Sequence, residues 1–584
     1  MYQNGSIKIE LASPNLYNYN PIKNANSILQ ILNQSKASFV LFPELCLSNY
    51  TAGDLFFDTT FYHEILDALV FIMKNNHFSG VYLLGMPLVL EEVIFNVAIV
   101  IQKDKILGIV PKKTIPNYKE FSEKRWFQSG KYLPTQIIDF LGQKVPIGDI
   151  LFVNSQFDII FGVEICQDLW TIESPSDLLT LNGAHLIFNL SASTEHTSKP
   201  LLRKMAVLDH SRKQIGGYFY TSSGSTEFNA DILFSNHKIA AVLGDTIGEK
   251  DLSSSDISLV VDVFVDAIKY QRRIDTTYSD QRIGKQFNFF KSFFTLTETN
   301  DYIFEKPFAT KPFVTFTSSL LEELKLANII QVSFLKTQMN QLEPNTQIIL
   351  YMNDNLEVFL TLLVLIQSCE NKIYLSRISV VINPQSFQNL KLLTQLKTFL
   401  DQMNISYIQE NNMNNQITNN CFQKQFPKMI LESYNLSDIA LGRITYKRYN
   451  EDDYIYNINI GISHTFMVEL IKFHFENSII SLNQEIKQIY LQKITEFLTQ
   501  NIIIEDFILY YHLTYNFPQN KISSLIHRTF DLTITQSLKI VQSYIQRFYQ
   551  SQKKRQYVSP GPKIFPYSLS NCTELKLPIY YLKN

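Results

Sequence analysis

The chain has 584 residues, of which 45% are hydrophobic and 18% charged, and its formal net charge is −2. This length exceeds what one hydrophobic core supports, so we expect two to four domains. The near-zero net charge argues against nucleic acid as a partner. No apolar run is long enough to cross a bilayer, so we expect no membrane association either.

Cysteine usage and the N-terminus favour a cytoplasmic protein. The five cysteines are odd in number, scattered and never spaced CxxC; they are Cys46, Cys166, Cys369, Cys421 and Cys572. Such spacing indicates neither a disulfide framework nor a zinc site, and no metal site is predicted. The N-terminus lacks the basic start and apolar core of a signal peptide.

The first half of the chain predicts an α/β fold. Continuously apolar runs are typical of strands covered on both faces. The predicted strands are 6–12, 38–44, 80–88, 94–101, 157–165, 184–193, 217–223, 230–236, 239–245 and 257–265, and the predicted helices are 22–34, 59–76, 173–181 and 199–214. This pattern indicates a two-sheet sandwich with helices outside it.

The second half predicts a separate α/β domain. Its strands are expected at 347–352, 372–384 and 428–434, its helices at 355–367, 386–403 and 463–476, and a mostly helical tail from 484. Residues 411–420 are a polar insert that predicts a solvated loop. We therefore divide the chain into a domain at 1–270, a linker arm at 271–320 and a second domain at 321–584.

Three strand ends in the first half carry the groups that amide hydrolysis needs. Glu44, Lys112 and Cys166 each follow an apolar run. A thiolate attacks an amide carbon when a base takes the thiol proton and a cation stabilises the oxyanion. Taken singly, each residue is more often an ordinary strand end or a small buried side chain. Their joint occurrence favours a Glu-Lys-Cys amidase with a thioester intermediate.

The segments around these residues resemble a known family. FPELCLSNYTAGDLF, PKKTIPNYKEFSEKRWFQSG, VEICQDLW and NLSAS are similar, in order, to the motifs of the nitrilase superfamily. More narrowly, they resemble the glutaminase domain of the glutamine-dependent NAD synthetases. The resemblance implies a nitrilase-like α-β-β-α sandwich and glutamine as substrate, with no cofactor for this half.

The resemblance also implies a role for individual residues. It matches Glu44, Lys112 and Cys166 to the catalytic triad, with Lys113 as the alternative lysine. A second active-site glutamate falls on Glu120 or Glu123, which stay open alternatives. The positions implied to contact the substrate are Tyr118, Glu120, Glu123, Ser191 and Ser193.

The second half resembles the ligase domain of the same family. That resemblance implies a doubly wound, adenine-nucleotide hydrolase-like α/β fold with a helical C-terminal tail. It also implies ATP and Mg²⁺ as cofactors and deamido-NAD as a second small-molecule substrate. The family's homo-oligomeric assembly is expected as well.

The nucleotide loop of that ligase family is degenerate in this chain. The SGGxDS motif is matched by Asn353, Asp354, Asn355, Leu356, Glu357 and Val358, without a glycine or serine. Glycine lets the backbone approach phosphate closely, and Asp354 is expected to add a carboxylate beside the phosphates. Residues 432–438 replace GTGDLSE. The basic run 553–555 is expected to be solvated rather than a phosphate contact.

Three functions follow as alternatives. The first is a divergent glutamine-dependent NAD synthetase. The second is an amidase whose C-terminal half is a pseudo-ligase scaffold. The third is a non-catalytic assembly subunit, which would need the Glu-Lys-Cys triad to be vestigial.

Overall fold

The computed structural model of the chain describes residues 1–227, 231–285, 287–314, 319–343, 345–369, 375–409, 427–445, 451–477, 480–570 and 574–578. The chain folds as two compact units, Met1–Lys306 and Pro307–Asn584. In the described ranges, no helix combines the length and apolar character that crossing a membrane requires. The polar insert predicted at 411–420 lies outside the described residues.

The first unit is built on two large β-sheets. Its strands are β1 Tyr2–Gln3, β2 Ser6–Ala12, β3 Phe39–Leu41, β4 Val81–Leu90, β5 Val93–Gln102, β6 Lys105–Pro111, β7 Asn117–Tyr118, β8 Phe121–Ser122, β9 Gln136–Phe140, β10 Gln143–Ile147, β11 Ile150–Asn154, β12 Ile159–Ile165, β13 Leu186–Ser191, β14 Gly217–Ser222, β15 Lys238–Val242, β16 Asp245–Lys250, β17 Ser258–Phe264 and β18 Phe290–Phe293. One sheet runs β1-β2-β3-β4-β5-β6-β10-β9, with β17 also paired to β2. The other runs β16-β15-β14-β13-β12-β11-β18.

Helices of the first unit cover the outer face of each sheet. They are α1 Pro21–Gln34, α2 Thr59–Asn75, α3 Pro175–Leu181, α4 Lys199–Lys213, α5 Val265–Ile274 and α6 Thr276–Arg282, and short 3₁₀ helices lie at Tyr50–Phe57, Glu123–Arg125, Gly130–Tyr132 and Cys166–Trp170. The sequence encodes their starts. Asn20 accepts a hydrogen bond from the Lys23 amide before Pro21, and Asp58 caps α2 in the same way.

The core of this unit has three apolar layers. Between the sheets, side chains of β2, β3 and β4 pack against those of β12, β13 and β14. Outside the first sheet, α1 and α2 pack on β4 and β5, and outside the second, α3 and α4 pack on β13 and β14. The result is an α-β-β-α sandwich, so the predicted fold class is confirmed.

Several elements differ from the sequence prediction. The run 231–236 forms no strand, and Phe234 makes only an isolated bridge to Thr194. Much of the predicted linker arm lies in the first unit, because β18 pairs with β11 and completes its sheet. The predicted domain bounds themselves stay predictions.

The second unit has a five-stranded parallel sheet in its described part. Its strands are β19 Gln347–Met352, β20 Ile378–Ile382, β21 Ser406–Gln409, β22 Lys428–Glu432 and β23 Tyr454–Asn457. Their order is β21-β20-β19-β22-β23. Chain order reverses between β19 and β22, which is the switch point where doubly wound folds bind ligands.

The helices of the second unit include a C-terminal helical group. They are α7 Leu320–Gln341, α8 Leu356–Ser368, α9 Leu390–Gln402, α10 Leu436–Ala440, α11 His464–Glu476, α12 Gln484–Phe497, α13 Gln500–Tyr515, α14 Gln519–Thr529, α15 Ile534–Gln550 and α16 Gln552–Arg555, with a 3₁₀ turn at Pro384–Ser386. The helical tail predicted from 484 is therefore present.

In the basic run at 553–555, Lys553 and Lys554 are exposed as predicted, whereas Arg555 differs from its predicted solvated state. Arg555 is buried, and its guanidinium donates to the Ala440 carbonyl at 2.8 Å. Lys554 donates to the Gly442 carbonyl at 2.7 Å. Both cations meet free carbonyls at the C-terminal end of α10, where positive charge is favourable. The run therefore has a structural role in the second unit.

Truncating Phe161 should destabilise the first unit strongly. Its buried ring contacts Phe39 of the opposite sheet at 5.4 Å between centroids. We expect Phe161→Ala to lower the free energy of unfolding by about 3–5 kcal/mol. Trp126 and Trp170, the only tryptophans of the chain, both lie in this unit, so urea unfolding followed by tryptophan fluorescence reports on it selectively.

The exposed Tyr132 provides the control for this measurement. Its side chain is 81% exposed, so Tyr132→Ala should change the free energy by less than about 0.5 kcal/mol. Equal losses in the two variants would contradict a core role for Phe161.

Candidate active site

The three predicted catalytic residues come from strand ends of both sheets in the first unit. Glu44 lies shortly after β3, and Lys112 directly follows β6. Cys166 directly follows β12 and begins a 3₁₀ turn. Glu44 and Lys112 are fully buried, whereas Cys166 keeps 8% exposure. The site therefore lies at one end of the sandwich, and of these three residues only Cys166 keeps any exposure.

Three groups fix the Glu44 carboxylate. The Lys112 ammonium lies 2.6 Å from Oε1, and the Asn96 amide donates to the same oxygen at 2.7 Å. The Ala192 amide, just beyond β13, donates to Oε2 at 2.9 Å. Glu44 thus bridges the two sheets with both oxygens held in place.

Gly85 of β4 makes room for the turn that carries Glu44. A Cβ at this position would lie 2.2 Å from the Leu45 backbone nitrogen. Leu45 itself adopts a left-handed conformation with φ of 50°. Only glycine permits this close approach, so Gly85 is a steric requirement for the position of Glu44.

Glu123, not Glu120, reaches the buried lysine. Both Glu123 oxygens accept from the Lys112 ammonium, at 2.7 and 2.8 Å, and Oε1 also accepts from the Tyr50 hydroxyl at 2.7 Å. Glu120 accepts instead from the Thr194 hydroxyl at 2.8 Å. The sequence left these two glutamates as alternatives, and the structure brings only Glu123 to Lys112.

Buried charges shift the ionisation of the cluster. Burial alone would lower the pKa of Lys112, but Glu123 and Glu44 outweigh it, so that pKa is raised and the lysine stays charged. Burial, opposed by Lys112, raises the pKa of Glu123 to about 7. Burial and the charge of Glu44 raise the pKa of Cys166 to about 12, although Lys112 acts in the opposite direction.

Asp168 ties the cysteine turn to the lysine strand. Its carboxylate accepts from the Ile165 amide at 3.1 Å and from the Thr114 amide at 2.8 Å. Cys166 between them has φ of 45°, a strained conformation for a non-glycine residue. The buried Asp168 therefore holds the turn that presents the thiol.

The remaining predicted residues lie around the triad with partners of their own. Tyr118 is half exposed and donates to the Gln167 side chain at 2.8 Å. Ser191 donates to Asn189 at 2.8 Å, and the Ser193 hydroxyl accepts from Arg203 at 3.2 Å. Both serine hydroxyls are buried and already hydrogen-bonded.

Lys113, the alternative catalytic lysine, points away from Glu44. Its ammonium donates to the Gly130 carbonyl at 3.2 Å and pairs with Asp149 at 2.8 Å. Lys112 is therefore the lysine that the structure brings to Glu44.

Lys199 is a functional candidate that the sequence analysis missed. Its ammonium donates to the Thr194 hydroxyl at 2.8 Å and lies 5.5 Å from the centre of the Phe121 ring. Burial lowers its pKa, and its charge interacts with those of Cys166 and Glu120. No motif marks a single lysine at the start of a helix, so only the fold shows that it lies near the thiol.

A second cavity lies at the switch point of the second unit. It has a volume of about 330 Å³ and is lined by Tyr351, Asn353, Asn355, Glu357, Val358, Leu431, Glu432, Ser433, Tyr434, Asp438 and Arg443. Four of the six residues matched to the nucleotide loop are among them: Asn353, Asn355, Glu357 and Val358. The cavity follows directly after β19 and β22.

Asp354 differs from the expectation that it lies beside phosphates. Its buried carboxylate pairs with the Lys493 ammonium at 2.7 Å and accepts from the Gln388 amide at 3.1 Å. Its charge is therefore balanced within the protein, and it does not line the cavity.

Without a bound divalent cation, the cavity lining does not balance the charge of the triphosphate of ATP. Glu357, Glu432 and Asp438 place three carboxylates around it. Among the described lining residues the one guanidinium is that of Arg443, and it pairs with Glu505 at 2.5 Å. Phosphate oxygens would meet repulsion here, and no glycine lets the loop backbone approach them.

The first unit is similar to the carbon-nitrogen hydrolase family. The profile of the carbon-nitrogen hydrolase family matches residues 11–259. This range contains Glu44, Lys112 and Cys166 and most strands of the two sheets that carry them. The prediction that the chain carries an amide-hydrolysing enzyme domain of this family is confirmed.

The chain's relatives are glutamine-dependent NAD(+) synthetases. That of Mycobacterium bovis is 27% identical over 288 residues, which cover 48% of this chain and 42% of the relative. That of Thermotoga maritima is 34% identical over 184 residues, covering 31% and 29%. The matched stretches thus span less than half the length of these relatives. A synthetase structure from Cytophaga hutchinsonii is 13% identical, covering 99% of this chain and 98% of its own, with a TM-score of 0.40.

The raised pKa of Cys166 predicts a pH-dependent alkylation rate. A thiol with a pKa of about 12 is almost fully protonated at neutral pH, and only the thiolate reacts. The labelling rate with iodoacetamide should rise roughly tenfold per pH unit between pH 7 and 10. Mass spectrometry of the labelled Cys166 peptide measures this rate.

Cys46 is the control for this experiment, since its pKa is also raised to about 12 but its side chain has no exposure. Cys46 should remain unlabelled in the folded protein. A labelling rate for Cys166 that levels off below pH 8 would show that the thiol is already ionised in the free enzyme.

Proposed function

We propose that the chain hydrolyses the side-chain amide of glutamine at Cys166. The observation that carries this proposal is the fully buried Glu44–Lys112 pair, at 2.6 Å, whose charges both act on the Cys166 thiol. A base, a cation and a nucleophile within one desolvated cluster are what amide hydrolysis through a thioester needs.

The proposed reaction has two halves. Glu44 takes the proton from Cys166, and the sulfur attacks the amide carbon while Lys112 stabilises the oxyanion. Glu44 then returns the proton to the leaving nitrogen, so ammonia departs and a thioester remains. In the second half Glu44 takes a proton from water, whose oxygen attacks the thioester. The carbon–sulfur bond then breaks and Glu44 returns this proton to the sulfur, which releases glutamate and restores the thiol.

Glu123 supports this reaction by holding Lys112. Its two hydrogen bonds fix the ammonium between two carboxylates. Lys112 therefore stays charged and cannot move with Glu44 when that carboxylate takes up a proton. We assign Glu123 this positioning role, and it is our candidate for the second active-site glutamate.

The rim of the site suits the charged end of an amino acid. Lys199 offers an ammonium to a carboxylate, and Glu120 offers a carboxylate to an ammonium group. Tyr118 lies half exposed beside them and supplies an aromatic wall. Opposite charges on the rim of one pocket favour a zwitterion such as glutamine over a simple aliphatic amide.

The relatives suggest what the released ammonia does. They are named glutamine-dependent NAD(+) synthetases, so we propose amidation of deamido-NAD with ATP as the accompanying reaction of the whole protein. A homo-oligomeric assembly and a cytoplasmic location are part of the same proposal. The acidic cavity of the second unit makes this amidation the step that most needs a direct assay.

One assay tests both steps. The full chain is incubated with glutamine, deamido-NAD, ATP and Mg²⁺, and glutamate and NAD are measured together. We expect glutamate release that falls roughly 10⁴-fold or more in Cys166→Ala, because the nucleophile is lost. The buried Cys369 of the second unit offers the matched control, Cys369→Ala, which should keep the activity.

The pattern of products separates the alternatives. Formation of both glutamate and NAD supports a complete synthetase. Formation of glutamate without NAD supports an amidase with a pseudo-ligase scaffold, provided that ammonium chloride in place of glutamine also yields no NAD. Absence of glutamate release from glutamine under every condition would overturn the proposed function.

Asp168 should affect turnover more than substrate binding. In Asp168→Asn one carboxylate oxygen becomes an amide donor facing the backbone amides of Ile165 and Thr114. We expect kcat to fall roughly ten- to a hundredfold with KM little changed, because the thiol is displaced while the rim is intact. Steady-state kinetics of glutamate release measures the two constants.

Asp139→Asn serves as the control. Asp139 forms an exposed ion pair with Lys144, and neither residue belongs to the candidate site. A rise in KM with unchanged kcat in Asp168→Asn would argue against the positioning role.

A further inference from the structure

The segment that follows β13 connects the base of the candidate site with its rim. At the start of this segment, the Ala192 amide donates to Oε2 of Glu44 at 2.9 Å. Two residues further on, the Thr194 hydroxyl donates to Glu120 at 2.8 Å and accepts from the Lys199 ammonium at 2.8 Å. The position of this segment therefore determines where both charges of the rim lie relative to the base.

Arg203 is fully buried and binds this segment at three consecutive residues. Its guanidinium donates to the Ser193 hydroxyl at 3.2 Å and to the Thr194 carbonyl at 3.3 Å, and it pairs with the Glu195 carboxylate at 3.2 Å. A planar group with several donors can meet three acceptors together, whereas the ammonium of a lysine is a compact point charge. Arg203 thus specifies the shape of residues 193–195 in addition to balancing one carboxylate.

Arg203 and Lys199 hold Thr194 from the same helix. The two residues lie four positions apart on α4, so their side chains leave the same face of the helix. Lys199 reaches the Thr194 hydroxyl, and Arg203 reaches the Thr194 carbonyl. The helix therefore fixes both the side chain and the backbone of the residue that links the two rim charges.

A buried histidine orients the guanidinium of Arg203. Because arginine can only donate, Nδ1 of His237 accepts from it at 2.8 Å. Nε2 of the ring therefore carries the proton and donates to Glu249 at 3.1 Å. Burial and the charge of Arg203 lower the pKa of His237, so the ring is neutral at pH 7. A neutral His237 supplies an acceptor that a charged ring could not, and it fixes the direction of the Arg203 side chain.

We propose that Arg203 is a positioning residue that determines how tightly the site binds the charged end of its amide substrate. It acts through Thr194, whose hydroxyl it holds between Lys199 and Glu120. The role rests on the proposed hydrolysis of glutamine, since a zwitterion needs both rim charges at a fixed spacing. Glu44 is held by other contacts, so loss of the Arg203 contacts should weaken substrate binding more than it slows the chemical step.

Glutamine protection of Cys166 against iodoacetamide tests this role in the full chain. The alkylation rate of Cys166 is measured by mass spectrometry at rising glutamine concentration, and KM and kcat for glutamate release are measured in parallel. In Arg203→Lys we expect KM and the half-protecting concentration to rise roughly ten- to a hundredfold, because one ammonium replaces several charge-assisted hydrogen bonds. The values of kcat and of the alkylation rate without glutamine should stay within about twofold.

Glu195→Gln is a second variant of the same contact. It keeps the volume of the side chain but removes the charge that pairs with Arg203. We expect KM and the half-protecting concentration to rise roughly three- to tenfold, since one ion pair becomes a neutral hydrogen bond. This variant tests the role even if Arg203→Lys fails to fold.

Arg272→Lys is the matched control, at the opposite end of the same strands. Arg272 is also buried, and it donates to the carbonyls of Ala184 and Ile215, which precede β13 and β14, at 2.8 and 2.7 Å. Its substitution disturbs a similar set of buried hydrogen bonds away from the site. KM and the half-protecting concentration should therefore stay within about twofold of the wild type.

Three results would overturn the positioning role of Arg203. The first is an unchanged KM and half-protecting concentration in the folded Arg203→Lys and Glu195→Gln proteins. The second is a fall in kcat with KM unchanged, and the third is an equal rise of KM in Arg272→Lys. Absence of both glutamate release and protection in the wild-type chain would overturn the proposed function, and the positioning role with it.

Discussion

The charge of Lys112 is the constraint on which the first unit depends. A buried ammonium is stable only while carboxylates balance it, and here Glu44 and Glu123 do so at 2.6 and 2.7 Å. Removing one partner of such a buried pair typically costs about 3–5 kcal/mol. The strand ends that carry these residues are therefore held together by the same contacts that prepare the chemistry.

This balance also explains why two carboxylates surround one lysine. If Glu44 were the sole partner, its protonation during the reaction would leave the ammonium unpaired. Glu123 keeps the pair intact, and Tyr50 donates a hydrogen bond to hold Glu123 in turn. The proposed catalytic cycle thus changes the charge of Glu44 without leaving the Lys112 ammonium unpaired.

The sequence predicts structure best where a hydrophobic pattern repeats. It predicts structure least well where tertiary contacts determine the position of a strand or side chain. Apolar runs located β12, β13 and most other central strands, because burial on both faces requires such runs. The short or half-polar strands β9, β16 and β18 lack that signal. Motif order identified Glu44, Lys112 and Cys166 as candidates, but spacing could not separate Glu120 from Glu123, since only the fold decides which reaches Lys112. Lys199 has no local signature at all.

The candidate sites of the two units differ in how well their charged groups suit the proposed reactions. In the first, every charged group of the buried cluster has a partner that suits the proposed reaction. In the second, the switch point of the sheet retains its cavity, but its lining is acidic and Arg443 is already paired. The second unit thus has the switch point of a doubly wound fold with an acidic lining.

The close approach of β4 to the turn after β3 has a consequence for how this domain tolerates mutation. At Gly85 even an alanine side chain would push the Leu45 backbone, and with it Glu44, away from Lys112. A survey of all single substitutions, scored by growth or turnover, would therefore rank Gly85 among the essential positions. Gly85 contributes no side chain to the site. The space that it leaves empty nevertheless determines the position of Glu44, the proposed base.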